Sequence, residues 1–392
     1  MGGVAVDQLN ATSGVRQHLS KLRAAGKTND EIALDPLMRE YMRFFMQGLT
    51  EHWNEIATAA KDVARMANRS LPAAYGNLGG GVTSNYSRPC GLVLHQSVDV
   101  IWNEETGSLA GQRQESASLS LKLSEAAGAL PLPLPPSLLS SSRPHSLLTL
   151  GHAGTKPDGS KTPNWIDRFS GANLTLDCTF NAVAAAEATA NDGVLAGDIA
   201  SIVPGDACWL AWSAHATLVQ KHTWLFTDRM RVSEAVVVYS LPTVVWRHFS
   251  TVSELFDGGK WDDSQAERTP VGRHFRWLTY ASKLLDENHI SYRGQVLGHP
   301  DLMRDGPSLS TLSATTKLVV LPGIDAVSDL HAAALAAWVR SGGHLVLWGE
   351  ESGSLDEELL PRPANTTAWT KLLSDSGKGS VTVVDRAVLD AA

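Results

Sequence analysis

The fold is encoded most clearly in residues 317–346, KLVVLPGIDAVSDLHAAALAAWVRSGGHLV. An apolar run, Lys317 to Leu321, precedes an alanine-rich amphipathic segment, Ser328 to Ser341, and a glycine pair introduces a second apolar run, His344 to Trp348. Short apolar runs joined by an amphipathic helix are typical of parallel strands with crossover helices. The stretch therefore predicts strand, helix and strand in an open parallel sheet.

The same pattern continues on both sides of this stretch. Upstream, Ala235 to Tyr239 predicts a buried strand and His274 to Asn288 an amphipathic helix, and downstream Val381 to Val384 predicts another strand. These elements predict a Rossmann-like parallel-sheet domain over residues 231–392. Because the chain stops soon after its last predicted strand, we expect this domain to be truncated.

Residues 1–230 show a weaker alternation of strands and helices. A long helix is predicted from Asp35, as N-cap, to about Ala67. The predicted strands are Leu71–Asn77, Val98–Trp102, Leu147–Gly151 and Gly193–Gly197. Parallel strands of this kind build (β/α) barrels, but a complete barrel takes roughly 250 residues. We therefore expect a partial (β/α) TIM-type barrel, and the predicted fold class is α/β.

Two segments of this half have unusual composition. Residues 106–146 include the run PLPLPPSLLSSSRPHS, which predicts either a flexible insertion or a poorly evolved segment. A helix predicted from about Cys208 to Phe226 carries three tryptophans, Trp209, Trp212 and Trp224. Their spacing favours packing in a core over a platform that stacks on sugars.

Composition restricts the classes of partner. The formal net charge of −8 disfavours nucleic acid, which requires a basic surface. The three cysteines, Cys90, Cys178 and Cys208, show no CxxC spacing, so no metal site is expected. No segment is apolar enough to span a membrane and no signal peptide is visible, which favours a cytoplasmic location. No nucleotide-binding glycine motif occurs at a strand-to-helix turn, so no cofactor is expected.

The runs Lys317 to Gly323 and Trp338 to Val346 resemble the trimerisation domain of glycoside hydrolase family 42 β-galactosidases, which has the class I glutamine-amidotransferase-like fold. The resemblance covers roughly residues 231–350. More weakly, residues 192–194 and 164–165 resemble β/α turns of the same family's barrel. The resemblance to this family implies an amidotransferase-like second domain, the C-terminal part of a barrel, a carbohydrate partner and a homotrimer. Glutamine hydrolysis is excluded, because it requires a cysteine and none lies beyond Cys208.

Glycosidases need two carboxylates near the scissile bond. The resemblance implies that the acid/base glutamate lies before this sequence begins and that Leu148 to Gly154 corresponds to the nucleophile strand, where no carboxylate occurs. The remaining carboxylate candidates for catalysis are Glu104 and Glu105, after the strand ending at Trp102. The polar and aromatic candidates for sugar binding are Asn77, Trp102, Asn103, His152, Trp165 and Asp198.

Two functions remain open. The first is a glycoside hydrolase-like protein that acts on β-linked sugars. The second is a non-catalytic carbohydrate-binding or assembly protein that kept the scaffold after losing the catalytic acids. The missing nucleophile favours the second, whereas a longer form with the early strands would favour the first.

Overall fold

The structure, a computed structural model, describes residues 11–69, 75–77, 100–105, 119, 122–123, 126–127, 145–150, 193–196, 207–226, 232–248, 269–303, 309, 312, 315–364 and 366–385. The strands are β1 (Tyr75–Asn77), β2 (Val100–Glu105), β3 (His145–Leu150), β4 (Gly193–Ala196), β5 (Ala235–Ser240), β6 (Tyr292–Leu297), β7 (Leu318–Pro322), β8 (His344–Trp348) and β9 (Ser380–Val384). The helices are α1 (Ala11–Ala24), α2 (Asn29–Ala33), α3 (Pro36–Met66), α4 (Ala207–Lys221), α5 (Thr223–Phe226), α6 (Leu241–Val245), α7 (Pro270–Glu287), α8 (Asp329–Arg340) and α9 (Thr370–Ser374).

Two parallel sheets organise these elements. The first has four strands in the order β1-β2-β3-β4, and the second has five strands in the order β6-β5-β7-β8-β9. Every described strand pair is parallel. The predicted α/β class is therefore confirmed.

The five-stranded sheet contains the strands predicted from residue 235 onward and one that was not predicted. Strand β6 reads YRGQVL, in which an arginine, a glycine and a glutamine interrupt the apolar run. It forms because it pairs along its whole length with β5. Helix α7 begins at Pro270, earlier than expected, because the Thr269 side chain accepts a hydrogen bond from the backbone N–H of Gly272 and caps the helix.

Both faces of the five-stranded sheet are covered at its central strands, whereas β9 is exposed or half-buried along its length. Strand β5 is buried along its whole length. Val237 and Tyr239 belong to the core on one face, which includes residues of α7, and Val236 and Val238 belong to the core on the other face, which includes residues of α8. Burial on both faces explains why β5 is a continuous apolar run and not an alternating one.

The N-terminal helices pack against the five-stranded sheet, although they precede the four-stranded sheet in the chain. Met42 and Met46 of α3 are buried in the same core as α7. Asp35 begins α3, as predicted, and its carboxylate accepts the backbone N–H groups of Leu37 and Met38. Helices from the start of the chain and the sheet near its end therefore share one hydrophobic core.

Part of the stretch 106–146 lies in this core as well. Leu119, Leu123 and Ala126 are helical and buried, and the Lys122 ammonium lies 3.3 Å from the centre of the Tyr292 ring on β6. The expectation of a flexible or poorly evolved segment stays a prediction for the rest of residues 106–146, whereas these residues are packed in the core. Their spacing of three and four positions places them on one side of a helix, which covers β6.

Helices α4 and α5 correspond to the single helix predicted from about Cys208 to Phe226. The side chain of Trp224 is 72% exposed, so the prediction of core packing is wrong for this tryptophan. The side chains of Trp209 and Trp212 lie outside the described residues. An exposed tryptophan on a predominantly apolar helix pair indicates a surface that the described residues leave uncovered.

Candidate functional site

The carboxyl ends of β1 and β2 bring several of the predicted residues to one edge of the four-stranded sheet. Asn77 ends β1 and is in register with Trp102 of β2. Asn103, Glu104 and Glu105 continue β2 to its end. Because all four strands are parallel, their carboxyl ends share an edge, and this is the edge where parallel α/β proteins place ligand-binding residues.

Glu104 and Glu105 belong to strand β2, and the expectation that they lie in a loop after Trp102 is wrong. They are held in the strand by backbone pairing with β3, which sequence polarity did not reveal. Successive residues of a strand belong to opposite faces of its sheet. Glu104 therefore shares a face with Trp102, and Glu105 shares the other with Asn103. Placement on opposite faces differs from the shared position that the close carboxylate pair of a glycosidase requires.

The register with β3 offers no second carboxylate beside either glutamate. Glu104 is paired with Thr149, and Glu105 is paired with Leu150. Neighbouring strands lie roughly 4.8 Å apart, close to the roughly 5 Å that separates the carboxyl groups of retaining glycosidases. Neither of the β3 residues in register with the two glutamates is therefore a carboxylate.

Three predicted sugar-binding residues lie outside the described residues. His152 follows the end of β3, which is Leu150, and Asp198 follows the end of β4, which is Ala196. Trp165 lies farther along the chain after β3. Their roles stay predictions.

The five-stranded sheet has its own position for a ligand. In the strand order β6-β5-β7-β8-β9 the connections reverse direction between β5 and β7. Open parallel sheets bind ligands outside the carboxyl ends of the two strands at such a switch point. Here that position lies between Ser240, which ends β5, and the turn after Pro322, which ends β7.

The switch point is filled by hydrogen bonds within the chain. The Ser240 hydroxyl donates to the Ala326 carbonyl at 2.9 Å and lies 3.0 Å from the Thr243 hydroxyl. The Ala326 backbone N–H donates to Thr243 Oγ1 at 3.3 Å. Ser240 occupies a strand-to-helix turn, where a nucleophile would stand, but its hydroxyl is committed to a carbonyl. It therefore lacks the general base that would activate it.

His274 does not serve as that base. Its Nε2 accepts the backbone N–H of Ser240 at 3.2 Å, and its Nδ1 donates to the Pro322 carbonyl at 2.6 Å. This arrangement requires the neutral ring. Burial lowers the pKa of His274 to about 4, while the Pro322 carbonyl and Asp325 partly oppose this shift. His274 joins β5 to the turn after β7 and stays neutral at physiological pH.

Arg247 closes the same region from the side of the N-terminal helices. Its guanidinium is buried and lies 2.9 Å from Asp325 and 2.9 Å from Asp30 of α2. Burial opposes the charged form, but the two carboxylates outweigh it and raise the pKa of Arg247. Helix α2 is thus ion-paired, through Asp30, to Arg247 beside the switch point where a ligand would enter.

A second polar cluster, which sequence reasoning missed, attaches helix α3. Glu358 lies 2.6 Å from Arg39 and 3.1 Å from His299. Arg39 and Arg43 lie over the ring of Trp246, with their guanidinium carbons 4.8 Å and 5.2 Å from its centre. Arg39 and Glu358 are 319 positions apart, so no local pattern could have predicted their contact. The ionic groups of this cluster lie between elements and are paired with one another, which favours a structural role.

Metal ions and membranes are two further classes of partner. Among the residues that the structure describes, no group of three or more His, Cys, Asp or Glu side chains is arranged to hold a metal ion. None of the helices in this part of the chain is long and apolar enough to cross a membrane.

Comparison with known proteins gives structural relatives only. No protein-family model and no curated protein sequence matches the chain. Solved structures do match, and several β-galactosidases are among them. The enzyme from Bacillus circulans sp. alkalophilus has 12% identity and a TM-score of 0.51, over 85% of this chain and 43% of that one. Gan42B, a GH42 β-galactosidase from G. stearothermophilus, has 13% identity and a TM-score of 0.46, over 74% and 39%.

A β-galactosidase from the Antarctic haloarchaeon Halorubrum lacusprofundi has 13% identity and a TM-score of 0.49, over 88% of this chain and 46% of that one. The chain spans less than half the length of each of these enzymes. At such low identity, the match to the Bacillus circulans enzyme shows a shared fold, and its activity does not transfer with it.

Proposed function

We propose that this chain is a glycoside hydrolase-like protein that acts on β-linked sugars at the carboxyl edge of its four-stranded sheet. The observation that carries the proposal is the register of β1 and β2, which places Asn77, Trp102 and Glu104 on one face near one edge. An amide, an indole and a carboxylate are the groups that bind sugar hydroxyls, stack on pyranose rings and transfer protons. The β-galactosidase fold supports the same assignment.

Glu104 is the proposed general acid. Glycoside hydrolysis requires an acid that protonates the leaving glycosidic oxygen as its bond to the anomeric carbon breaks. Water then supplies the new oxygen at that carbon, and a second carboxylate either takes the proton from water or first forms a glycosyl intermediate. Glu104 can act as the general acid. The second carboxylate has to come from a residue that is not in register with Glu104 on a neighbouring strand.

Hydrolysis of a panel of nitrophenyl β-glycosides tests the proposal. The full chain is assayed beside Glu104→Gln, which removes the proton donor, and Glu105→Gln, which makes the same change on the opposite face of β2. We expect turnover to fall by about a hundredfold or more in Glu104→Gln and by less than about threefold in Glu105→Gln. Equal loss in both variants would contradict the proposed role of Glu104.

The second candidate function is carbohydrate binding without turnover. It is favoured by the residue paired with Glu104, because Thr149 cannot act as the missing carboxylate. Calorimetric titration with galactose and β-linked galactobiose distinguishes the two candidates. Heat of binding that is lost in Trp102→Ala, with no hydrolysis of any glycoside, would favour the binding protein. Absence of both binding and turnover would exclude both candidates.

The five-stranded sheet is proposed to support assembly and not to carry a second activity. Its switch point is filled by Ser240, Thr243 and Ala326, and the residues beyond Cys208 contain no cysteine. We also propose a domain boundary near residue 230 and an amidotransferase-like fold beyond it, both from the resemblance of residues 231–350. Limited proteolysis followed by mass spectrometry tests the boundary, although the shared core predicts that residues 29–66 stay bound to the C-terminal fragment.

A further inference from the structure

A row of three residues crosses the four-stranded sheet near its carboxyl edge. Glu104 of β2 is in register with Thr149 of β3, and Thr149 is in register with Ala196, which ends β4. Residues in register on neighbouring parallel strands belong to the same face of the sheet. The proposed acid, a hydroxyl residue and a small residue therefore stand side by side on one face.

A second row lies next to the first, toward the amino ends of the strands. It consists of Trp102, Leu147 and Val194, which are in register across β2, β3 and β4. Because residues two positions apart along a strand belong to the same face, this row shares the face of Glu104. All three of its members are apolar. Over β3 and β4, the face therefore changes from larger apolar residues to smaller ones at the carboxyl edge.

We propose that the face of β3 and β4 beside Glu104 binds one uncharged sugar ring of the substrate, and that Thr149 and Ala196 select this ring. The inference rests on the proposed function and adds a subsite to it. Neighbouring strands lie roughly 4.8 Å apart, so two strand spacings separate the backbones at Glu104 and Ala196 by roughly 10 Å. This span suits one pyranose ring with its hydroxyl groups.

The chemistry of the two rows suits a sugar. Ligand sites are mostly apolar, with a few polar groups that fix the orientation of the ligand. Leu147 and Val194 offer an apolar surface to the C–H face of a ring. The Thr149 hydroxyl can both donate a hydrogen bond to a sugar hydroxyl and accept one from it. Ala196 sets the size limit, because a longer side chain at this position would take volume that the ring needs.

The absence of a cation on the described strands favours a ring without a charge. The described residues of the four strands, YGN, VIWNEE, HSLLTL and GVLA, contain no lysine and no arginine. His145 begins β3, at the end of the strand opposite to Thr149. A sugar acid at the subsite would give up its hydration without an ion pair from these strands, which is unfavourable. A neutral ring has no such cost.

A size series at Ala196 tests the limit on the ring. Ala196→Ser, Ala196→Val and Ala196→Leu are assayed with the nitrophenyl β-glycoside that the wild type hydrolyses fastest, and galactose binding is measured by calorimetry. We expect KM and the galactose Kd to rise with the volume of the side chain, by less than about threefold for serine and by more than about tenfold for leucine. Leu195→Met, on the opposite face of β4, is the control and should change neither value. Circular dichroism verifies folding, and serine and valine keep the series informative if the leucine variant does not fold.

The role of the Thr149 hydroxyl is tested by two substitutions of similar size. Thr149→Val removes the hydroxyl and keeps the volume, whereas Thr149→Ser keeps the hydroxyl. We expect Thr149→Val to raise KM and the galactose Kd by about tenfold and to lower kcat by less than about threefold, because Glu104 is unchanged. Thr149→Ser should restore both values to within about threefold of the wild type. Ser146→Ala removes a hydroxyl from the opposite face of β3 and should have no effect.

The charge of the ring is tested by galacturonate, which differs from galactose in carrying a carboxylate. We expect galacturonate to bind the wild type at least about tenfold more weakly than galactose, and equal binding would overturn the uncharged subsite. Turnover or galactose binding that is unchanged in both Ala196→Leu and Thr149→Val would overturn the subsite and leave the proposed function in place. A wild type with neither turnover nor galactose binding would instead remove the proposed function and the subsite with it, so the two failures are distinguishable.

Discussion

His274 links single-residue chemistry to the stability of the five-stranded sheet. Its ring joins the end of β5 to the turn after β7, and both ring nitrogens are used in the neutral form. Gly323, in that turn, has φ of 59°, and a Cβ there would come 3.2 Å from the His274 backbone. Helix α7 and the turn are therefore in close contact. A charged His274 ring could not keep both hydrogen bonds, because its Nε2 would carry a proton and could no longer accept a hydrogen bond from Ser240.

The free energy of unfolding should fall as the pH is lowered through the range set by His274. Its pKa is about 4 in the folded chain against 6.5 for the free side chain, so the unfolded chain binds the proton more readily between these values. We expect a loss of up to about 3 kcal/mol between about pH 6.5 and pH 4. Urea unfolding at a series of pH values measures this loss in the free energy of unfolding.

His274→Gln should remove this part of the pH dependence, because glutamine does not titrate. The control is His289→Gln, at an exposed histidine after α7, which should keep the wild-type slope. Equal slopes in the wild type and in His274→Gln would contradict the assignment.

At the scale of elements, β6 depends on residues distant in the chain. A Cβ added to Gly294 on β6 would lie 2.7 Å from the Lys122 carbonyl oxygen and 3.1 Å from a Leu123 methyl. The strand was missed in the sequence because its own residues are not a clear apolar run. Its burial is completed by the helical residues around Lys122, which lie in a stretch that composition marked as irregular.

Gly294→Ala should destabilise the fold by about 1–3 kcal/mol, because backbone atoms of residue 122 would have to move. The matched change Gly48→Ala, in the middle of α3, meets nothing within 4 Å and should stabilise the fold by up to about 1 kcal/mol. Chemical unfolding of both variants measures the two effects. A neutral Gly294→Ala would show that residues 119–127 do not pack on β6.

In the whole molecule, one hydrophobic core joins the N-terminal helices to the five-stranded sheet. Met46 of α3 is fully buried in the core that also contains residues of α7. Met46→Ala should lower the free energy of unfolding by about 2–5 kcal/mol, because it leaves a cavity in this core. Phe44→Ala, at a side chain 62% exposed on the same helix, should change it by less than about 1 kcal/mol. Chemical unfolding of both variants measures the difference, and equal effects would contradict the shared core.

Elements whose burial is encoded locally can be predicted from the sequence alone. Strands β5, β7, β8 and β9 were predicted because apolar and β-branched residues recur within a few positions, and in β5 both faces are buried. The start of α3 was predicted because Asp35 and Pro36 act on the adjacent backbone. The lack of a cysteine nucleophile beyond Cys208 also needs no structure, since it depends only on composition.

Features that depend on partners far along the chain become visible only in the folded structure. Strand β6 is buried by residues near 122, α3 is attached by Arg39 to a glutamate 319 positions away, and Glu104 lies in a strand because β3 pairs with it. The opposite placement of Glu104 and Glu105 follows from that pairing, and it decides which carboxylate is tested. Pairing and burial between distant segments leave no periodic signal in the local sequence, because their energy comes from contacts that form only when the chain is folded.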